Sequence, residues 1–307
     1  MPSHPLIVYS PAYRCDIGAH VFPTGKYEAV RDRLLHTGVA AADSIVEPAP
    51  ASREALLLAH SNEYVEDLEQ LRWSLRTQPS ELPLTAEIVG AYVLAAGGTT
   101  RAARSALECG FAVHLGGGFH HASAGRAEGF CYINDLAVAI RTLCHEGRIS
   151  RAAVVDLDVH QGNGTAHIFE DEDAVFTLSL HQEANYPVPK ARSDLDVGLD
   201  DGTGDESYLE HLAPALDRVW EFQPEIVLYQ AGADPFIHDQ LGGLALSFEG
   251  LERRDRAVLE GCASRGIPAV VTLGGGYARD TADTVRIHAT TCALALAYGR
   301  PGSGASP

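Results

Sequence analysis

Asp156, Asp158 and His160 stand at alternate positions where the apolar run that begins at Arg151 comes to an end. On an extended chain successive side chains alternate sides, so these three face one way. Two carboxylates and an imidazole crowded on one side of a strand end repel or go unpaired unless a cation sits among them. Carboxylate oxygens and an imidazole nitrogen suit zinc or a similar divalent ion. A solvated, acidic strand end is the plain alternative.

Other residues complete a chemistry. Asp234, in Ala231-Gly-Ala-Asp234, is the natural third ligand beside Asp158 and His160. Three protein ligands leave a coordination position open, the catalytic rather than the structural pattern. Such an ion lowers the pKa of bound water toward about 7 and polarises a carbonyl. Read otherwise, Asp234 is a turn aspartate before Pro235. His120-His121 offers a base for the water and an acid for a leaving amine, or else a pair of ligand or surface histidines. Asn163 can accept a ring N–H from one of them and fix its tautomer, or serve as a turn residue between two glycines. Tyr277, after Gly274-Gly-Gly276, is a candidate donor to an oxyanion, or simply a tyrosine packed in a loop. The glycines are no phosphate cradle, because neither a following Lys-Ser/Thr nor GxGxxG spacing is present. Asp156, with Ser179 and Leu180 at the end of a neighbouring run, suits a second, monovalent ion.

These groups need a scaffold. Of 307 residues, 46% are hydrophobic, enough for one large α/β core. Short apolar runs (Leu6–Tyr9, Ala112–Leu115, Ala152–Asp158, Val175–Leu180, Ile226–Gln230, Ala269–Leu273) read as strands. They alternate with helical patterns over 26–35, 52–71, 86–108, 134–145, 205–221 and 248–264. That alternation predicts βαβ units around a parallel sheet. Ligands of open α/β sheets bind beyond the carboxyl ends of strands. The ends after 115, 158, 230 and 273 each deliver a chemically competent group, the pattern of an active site. With no internal repeat or linker, residues 1–298 read as one catalytic domain and 299–307, rich in Gly, Ser and Pro, as a flexible tail.

The formal charge of −18 argues against a nucleic-acid partner. Six cysteines without a CxxC pair read as reduced thiols, hence a cytoplasmic protein. No signal peptide and no membrane insertion are expected. A homo-oligomer stays open.

With Gly116-Gly-Gly-Phe-His-His-Ala122, Gly129-Phe-Cys-Tyr-Ile-Asn-Asp135, Asp156-Leu-Asp-Val-His-Gln-Gly-Asn-Gly-Thr165, Gly232-Ala-Asp234 and Gly274-Gly-Gly-Tyr277, the chain resembles the zinc-dependent histone deacetylase superfamily. The likeness runs from about Tyr9 to Val285 and leans to the class IV branch and its bacterial relatives. It implies an arginase/deacetylase-like three-layer α/β fold with a largely parallel eight-stranded sheet. It also implies hydrolysis of N-acyl-lysine, acetyl or long-chain fatty acyl, on a peptide or protein. Asp158, His160 and Asp234 would hold zinc, or iron(II) in the cell. His121 would be the principal acid–base and His120 its electrostatic partner, while Tyr277 would polarise the carbonyl. Gly129, Phe130, Tyr186, Leu241 and Gly275 would line the substrate site. Asp156, Ser179 and the Leu180 backbone would bind structural potassium.

The chain departs from the pattern in places. Asn163 stands where some branches carry aspartate, and no aspartate lies within Trp73–Pro83 to grip a peptide backbone. Leu241 occupies the place of the acidic gatekeeper of polyamine-preferring members. Alternatives to the lysine deacylase are an amidohydrolase of a small acylated amine or polyamine, a silent acyl-binding scaffold, and a two-manganese ureohydrolase. The last lacks the extra carboxylates it would need near Asp158.

Overall fold

The computed structural model describes residues 6–299. Of the expected tail, only Gly299 falls within the described residues; 300–307 lie outside them. The strands are β1 (Leu6–Val8), β2 (Ile45–Val46), β3 (Phe111–His114), β4 (Ala152–Asp156), β5 (Val175–Gln182), β6 (Leu195–Leu199), β7 (Val227–Gln230) and β8 (Ala269–Thr272). The helices are α1 (Lys26–His36), α2 (Arg53–Leu57), α3 (Asn62–Glu69), α4 (Ala86–Cys109), α5 (Asp135–His145), α6 (Asn163–Phe169), α7 (Asp205–Phe222), α8 (Phe248–Arg265) and α9 (Thr281–Tyr298).

All eight strands join one parallel sheet in the order β2-β1-β3-β8-β7-β4-β5-β6. Its central strands are continuous apolar runs buried along their length, as a sheet covered on both faces requires. On one face α4 packs on β1, β3 and β8, with α5 against α4. On the other α9 packs on β3, and α1, α9, α8 and α7 touch in series. The expected three-layer arrangement is therefore present.

Several elements differ from the expected ones. β2 is two residues long, too short to show a period. β6 is a half-exposed edge strand, so Leu-Asp-Val-Gly-Leu lacks the continuous apolar run that marks a buried strand. The segment 52–71 is two helices, because Ser61 accepts from the Tyr64 N–H and starts a second one. α9 was not expected; its threonines and β-branched residues are poor helix formers. It is held by the Asp280 cap and by burial of Val285, Ile287, Cys292 and Leu296. α6 begins in the turn-like Asn163-Gly-Thr. β4 stops at Asp156, so Leu157–His160 is not strand, and a bend rather than strand alternation brings Asp158 and His160 together.

The four strand ends singled out for chemistry, β3, β8, β7 and β4, are consecutive neighbours at the centre of the sheet. The register sets Ser179, Asp156, Gln230, Thr272 and His114 side by side in one row. This polar row closes the apolar part of the sheet and forms the floor of the site above it.

Candidate active site

Two loops carry the metal-type ligands. Beyond β4, Asp158 Oδ1 accepts from the His160 N–H at 3.1 Å and lies 3.1 Å from His160 Nδ1. Beyond β7, Asp234 Oδ1 accepts from the Val159 N–H at 2.9 Å, and Oδ2 lies 3.3 Å from His160 Nδ1. One ligand atom from each of Asp158, His160 and Asp234 falls within 4.8 Å of the others, and all three residues are buried. Fully buried Arg254 binds the loops to each other, donating to the carbonyls of Leu157 (3.2 Å) and Gly232 (2.7 Å) and pairing with Asp255 at 2.7 Å.

The cluster fits a divalent cation. Asp234 Oδ2 is buried without a hydrogen-bond partner. Burial and the Asp158 charge push the Asp234 carboxyl up to about 7. Burial opposes charge on His160, yet Asp158 and Asp234 hold it up at about 10. Asp158 is held ionised while Asp234 beside it is short of a counter-charge, a condition a bound cation relieves. Gly275 is needed beside them. A Cβ there would lie 2.0 Å from Asp234 Oδ2, and the Gly275 N–H donates to Asp158 Oδ2 at 2.8 Å.

The neighbouring imidazoles have different partners. His120 Nδ1 donates to Asp156 Oδ2 at 2.6 Å, and His121 Nδ1 to Asn163 Oδ1 at 2.7 Å. Burial disfavours charge on both. Asp156 and Asp158 overcome it at His120, raising its pKa to about 9. At His121 burial and the charges of His120 and His160 act together and hold it well below the usual histidine range. The surroundings thus favour the charged form of His120 and the neutral form of His121. The loop that presents them is pinned by Asp135 at the start of α5, whose carboxylate accepts from the N–H groups of Gly118 and Phe119.

Tyr277 is buried, and its ring lies 6.4 Å from that of His160. Burial and the charges of Asp234 and Asp158 hold its phenol protonated, as a hydrogen-bond donor must be. Asp239 fixes its backbone, accepting from the Tyr277 N–H at 2.7 Å and, through its other oxygen, from those of Leu241 and Gly242.

Above these groups a narrow cleft is walled by Phe22, Phe130, Gly129, His121 and Tyr277. Phe22 and Phe130 stack at 6.3 Å, and Phe130 meets Tyr277 edge-on at 6.1 Å. Phe130 has φ of 64°, a strained conformation for a bulky residue. Its N–H donates to Ser80 O, and Tyr92 Oη donates to its carbonyl. Tyr186 meets His121 edge-on at 5.1 Å. Leu241 is half-buried and accepts at its carbonyl from Asn185 Nδ2 at 2.8 Å. Ser179 stands opposite Asp156 in the register, with its hydroxyl 2.9 Å from His181 Nδ1.

Sequence reasoning gave no role to Phe22, Asp239 or Arg254 and did not pair Asp156 with His120. The aspartates carried a signal, being charged residues beside apolar or glycine-rich stretches, whereas Arg254 is hidden in the charged run Glu252-Arg-Arg-Asp-Arg256. Phe22 lies in His20-Val-Phe-Pro-Thr-Gly-Lys26, a segment that supports the family likeness, but nothing local marks its place in the cleft, because its partner Phe130 is remote in the chain.

Fold and site together define a class: an α/β protein with a buried Asp–His–Asp cluster that could hold a metal ion, a histidine pair and a tyrosine beneath an aromatic cleft. The profile described as "Histone deacetylase domain" matches residues 20–293. An uncharacterised protein of Picosynechococcus is 42% identical over 285 residues, covering 92% of this chain and 95% of that one. "Histone deacetylase 2" of Arabidopsis thaliana is 34% identical over 295 residues, covering 91% and 76%. The crystal structure of an HDAC homologue from Aquifex aeolicus superposes with a TM-score of 0.82 at 30% identity, covering 95% of this chain and 83% of that one. One of an HDAC homologue complexed with SAHA gives 0.83 at 29%, covering 95% and 84%. The chain belongs to the histone deacetylase family and is a hydrolase of the deacetylase type. No helix among the described residues is long and apolar enough to cross a membrane.

Proposed function

We propose that this protein hydrolyses N-acyl-lysine to lysine and a free carboxylate, with Asp158, His160 and Asp234 holding the metal. The observation that carries the reading is the meeting of that buried triad with His120, His121 and Tyr277 at the base of one aromatic cleft, His120 paired with Asp156 and His121 with Asn163. Zinc, or iron(II) in the cell, would supply a Lewis acid that polarises the amide carbonyl and acidifies water.

This chain's own residues do the rest. His121, with its Nδ1 hydrogen engaged by Asn163, has its Nε2 lone pair free to take a proton from the attacking water. It returns that proton to the lysine nitrogen as the C–N bond breaks. His120, held charged by Asp156, stabilises the negative charge gathering nearby. Tyr277 donates to the oxyanion. Phe130, Phe22, Gly129 and Tyr186 guide the apolar lysine stem, Gly275 keeps the wall beside the ligands thin, and Leu241 stands at the rim. Asp156, Ser179 and the Leu180 carbonyl are the proposed ligands of a structural potassium ion.

The test is hydrolysis of a matched peptide pair carrying acetyl-lysine or myristoyl-lysine, with and without chelator and zinc add-back. Chelator-sensitive turnover restored by zinc supports the proposal, and the ratio of rates sets the acyl class. No turnover of either peptide with zinc bound overturns it in favour of a small acylated amine as substrate.

A further inference from the structure

Glu128 belongs to none of the roles above, yet it touches two of the residues that have them. Oε1 accepts from Asn163 Nδ2 at 2.7 Å and from Tyr186 Oη at 2.9 Å. Its side chain is only 18% exposed, and Oε2 lies 3.3 Å from Arg126. Its backbone is fixed: the Glu128 N–H donates to Cys131 O at 3.0 Å, and the Cys131 N–H donates back at 2.8 Å. The same tight turn carries Gly129 and Phe130 into the cleft.

The contact with Asn163 determines more than a position. An amide side chain has a donor end and an acceptor end of nearly equal shape, and its orientation follows from its partners. An ionised carboxylate only accepts, so the end facing Glu128 is the Nδ2 donor. The other end, Oδ1, must then face His121 Nδ1, and an acceptor there requires a hydrogen on Nδ1. A neutral imidazole has one N–H, so Nε2 is left with the lone pair. The chain His121–Asn163–Glu128 converts a fixed carboxylate into a fixed tautomer two hydrogen bonds away, with a neutral amide between. It also accounts for asparagine at 163: an aspartate there would set two carboxylates 2.7 Å apart.

We propose that Glu128 is a positioning residue that orients the Asn163 amide and thereby holds the His121 hydrogen on Nδ1. Its catalytic consequence rests on the hydrolase reading; its structural consequence does not.

The experiment has two arms on the zinc-loaded full chain. Imidazole 15N spectra, with His121 assigned by its loss in His121→Ala, report the tautomer. The wild type is expected wholly in the Nδ1–H form and Glu128→Ala as a mixture. In the kinetic arm, Glu128→Ala is expected to lower kcat about 10–100-fold, the usual effect of losing such an orienting partner, with KM within about threefold. Asn163→Asp should be similarly impaired alone and regain most of that loss when combined with Glu128→Gln, because the carboxylate and the amide have then exchanged places. An unchanged His121 tautomer in Glu128→Ala, or an Asn163→Asp defect that Glu128→Gln does not relieve, overturns the proposal. A tautomer change in a protein whose wild type hydrolyses no acyl-lysine upholds the relay and removes the hydrolase reading instead.

Discussion

His120 and His121 are adjacent in the chain with ring centroids 4.1 Å apart, yet one donates to a carboxylate and the other to an amide. Their surroundings push the two rings in opposite directions, His120 toward the charged form and His121 toward the neutral one. His121→Ala removes the proton carrier and is expected to lower kcat by about 10²–10⁴, the range for a general acid–base. His120→Ala removes only a nearby charge and should cost less. Steady-state rates of the two variants decide it; the reverse order would exchange the two roles.

Tyr277→Phe removes one oxyanion donor and leaves the buried ring in place. Turnover should fall about 10²–10³-fold, while metal content by elemental analysis stays at the wild-type level. A variant of near-normal activity would exclude Tyr277 from the reaction.

Asp234→Ala should lose the metal, because that residue supplies the unpartnered buried oxygen of the triad. Gly275→Ala should do likewise through a Cβ that meets the same oxygen at 2.0 Å. Added zinc at about 100 times its dissociation constant stabilises the wild type by roughly 2.7 kcal/mol. In thermal melts neither variant should show that zinc-dependent rise.

Stability should fall as pH drops below about 6.5, the histidine value in the unfolded chain. His60 is buried and held down to about 4 by desolvation, and His114 by the same cause to about 3. His60 Nε2 accepts from the Asn134 N–H at 3.1 Å while Nδ1 donates to Ser123 O, so the native ring has no place for a second proton. Both folded-state values lie below the unfolded one. The unfolded chain therefore binds protons that the folded state refuses, and stability present above pH 6.5 is lost toward pH 4. Each histidine contributes up to about 1.4 kcal/mol per pH unit. Denaturant melts from pH 7 to 4.5 measure the slope, and His60→Gln, which does not titrate, should flatten it.

Much of this site was legible along the chain. Asp158, His160, Asp234 and the His120-His121 pair stand out because polar groups follow apolar strands there, and the glycine runs mark where backbone comes close. The edge strand β6 and helix α9 were not legible. The first has a half-exposed pattern, and the second is held by burial against β3, α1 and α8 rather than by its own propensities. The Leu157–His160 bend was hidden for the same reason. Arg254 and the Asp234 loop hold it, and both lie far away in sequence.

Residue type and local order alone therefore determined that this protein has a parallel α/β sheet with residue types suited to binding a cation and moving protons at its strand ends. The tertiary structure decided which partner each of those groups received. It gave Asp156 to His120, Asn163 to His121 and Glu128 to Asn163, across separations of 36, 42 and 35 residues. A side chain's chemistry is intrinsic, but its charge and tautomer depend on what stands within about 3 Å of it. That neighbour is chosen by the register of the sheet and the packing of its loops.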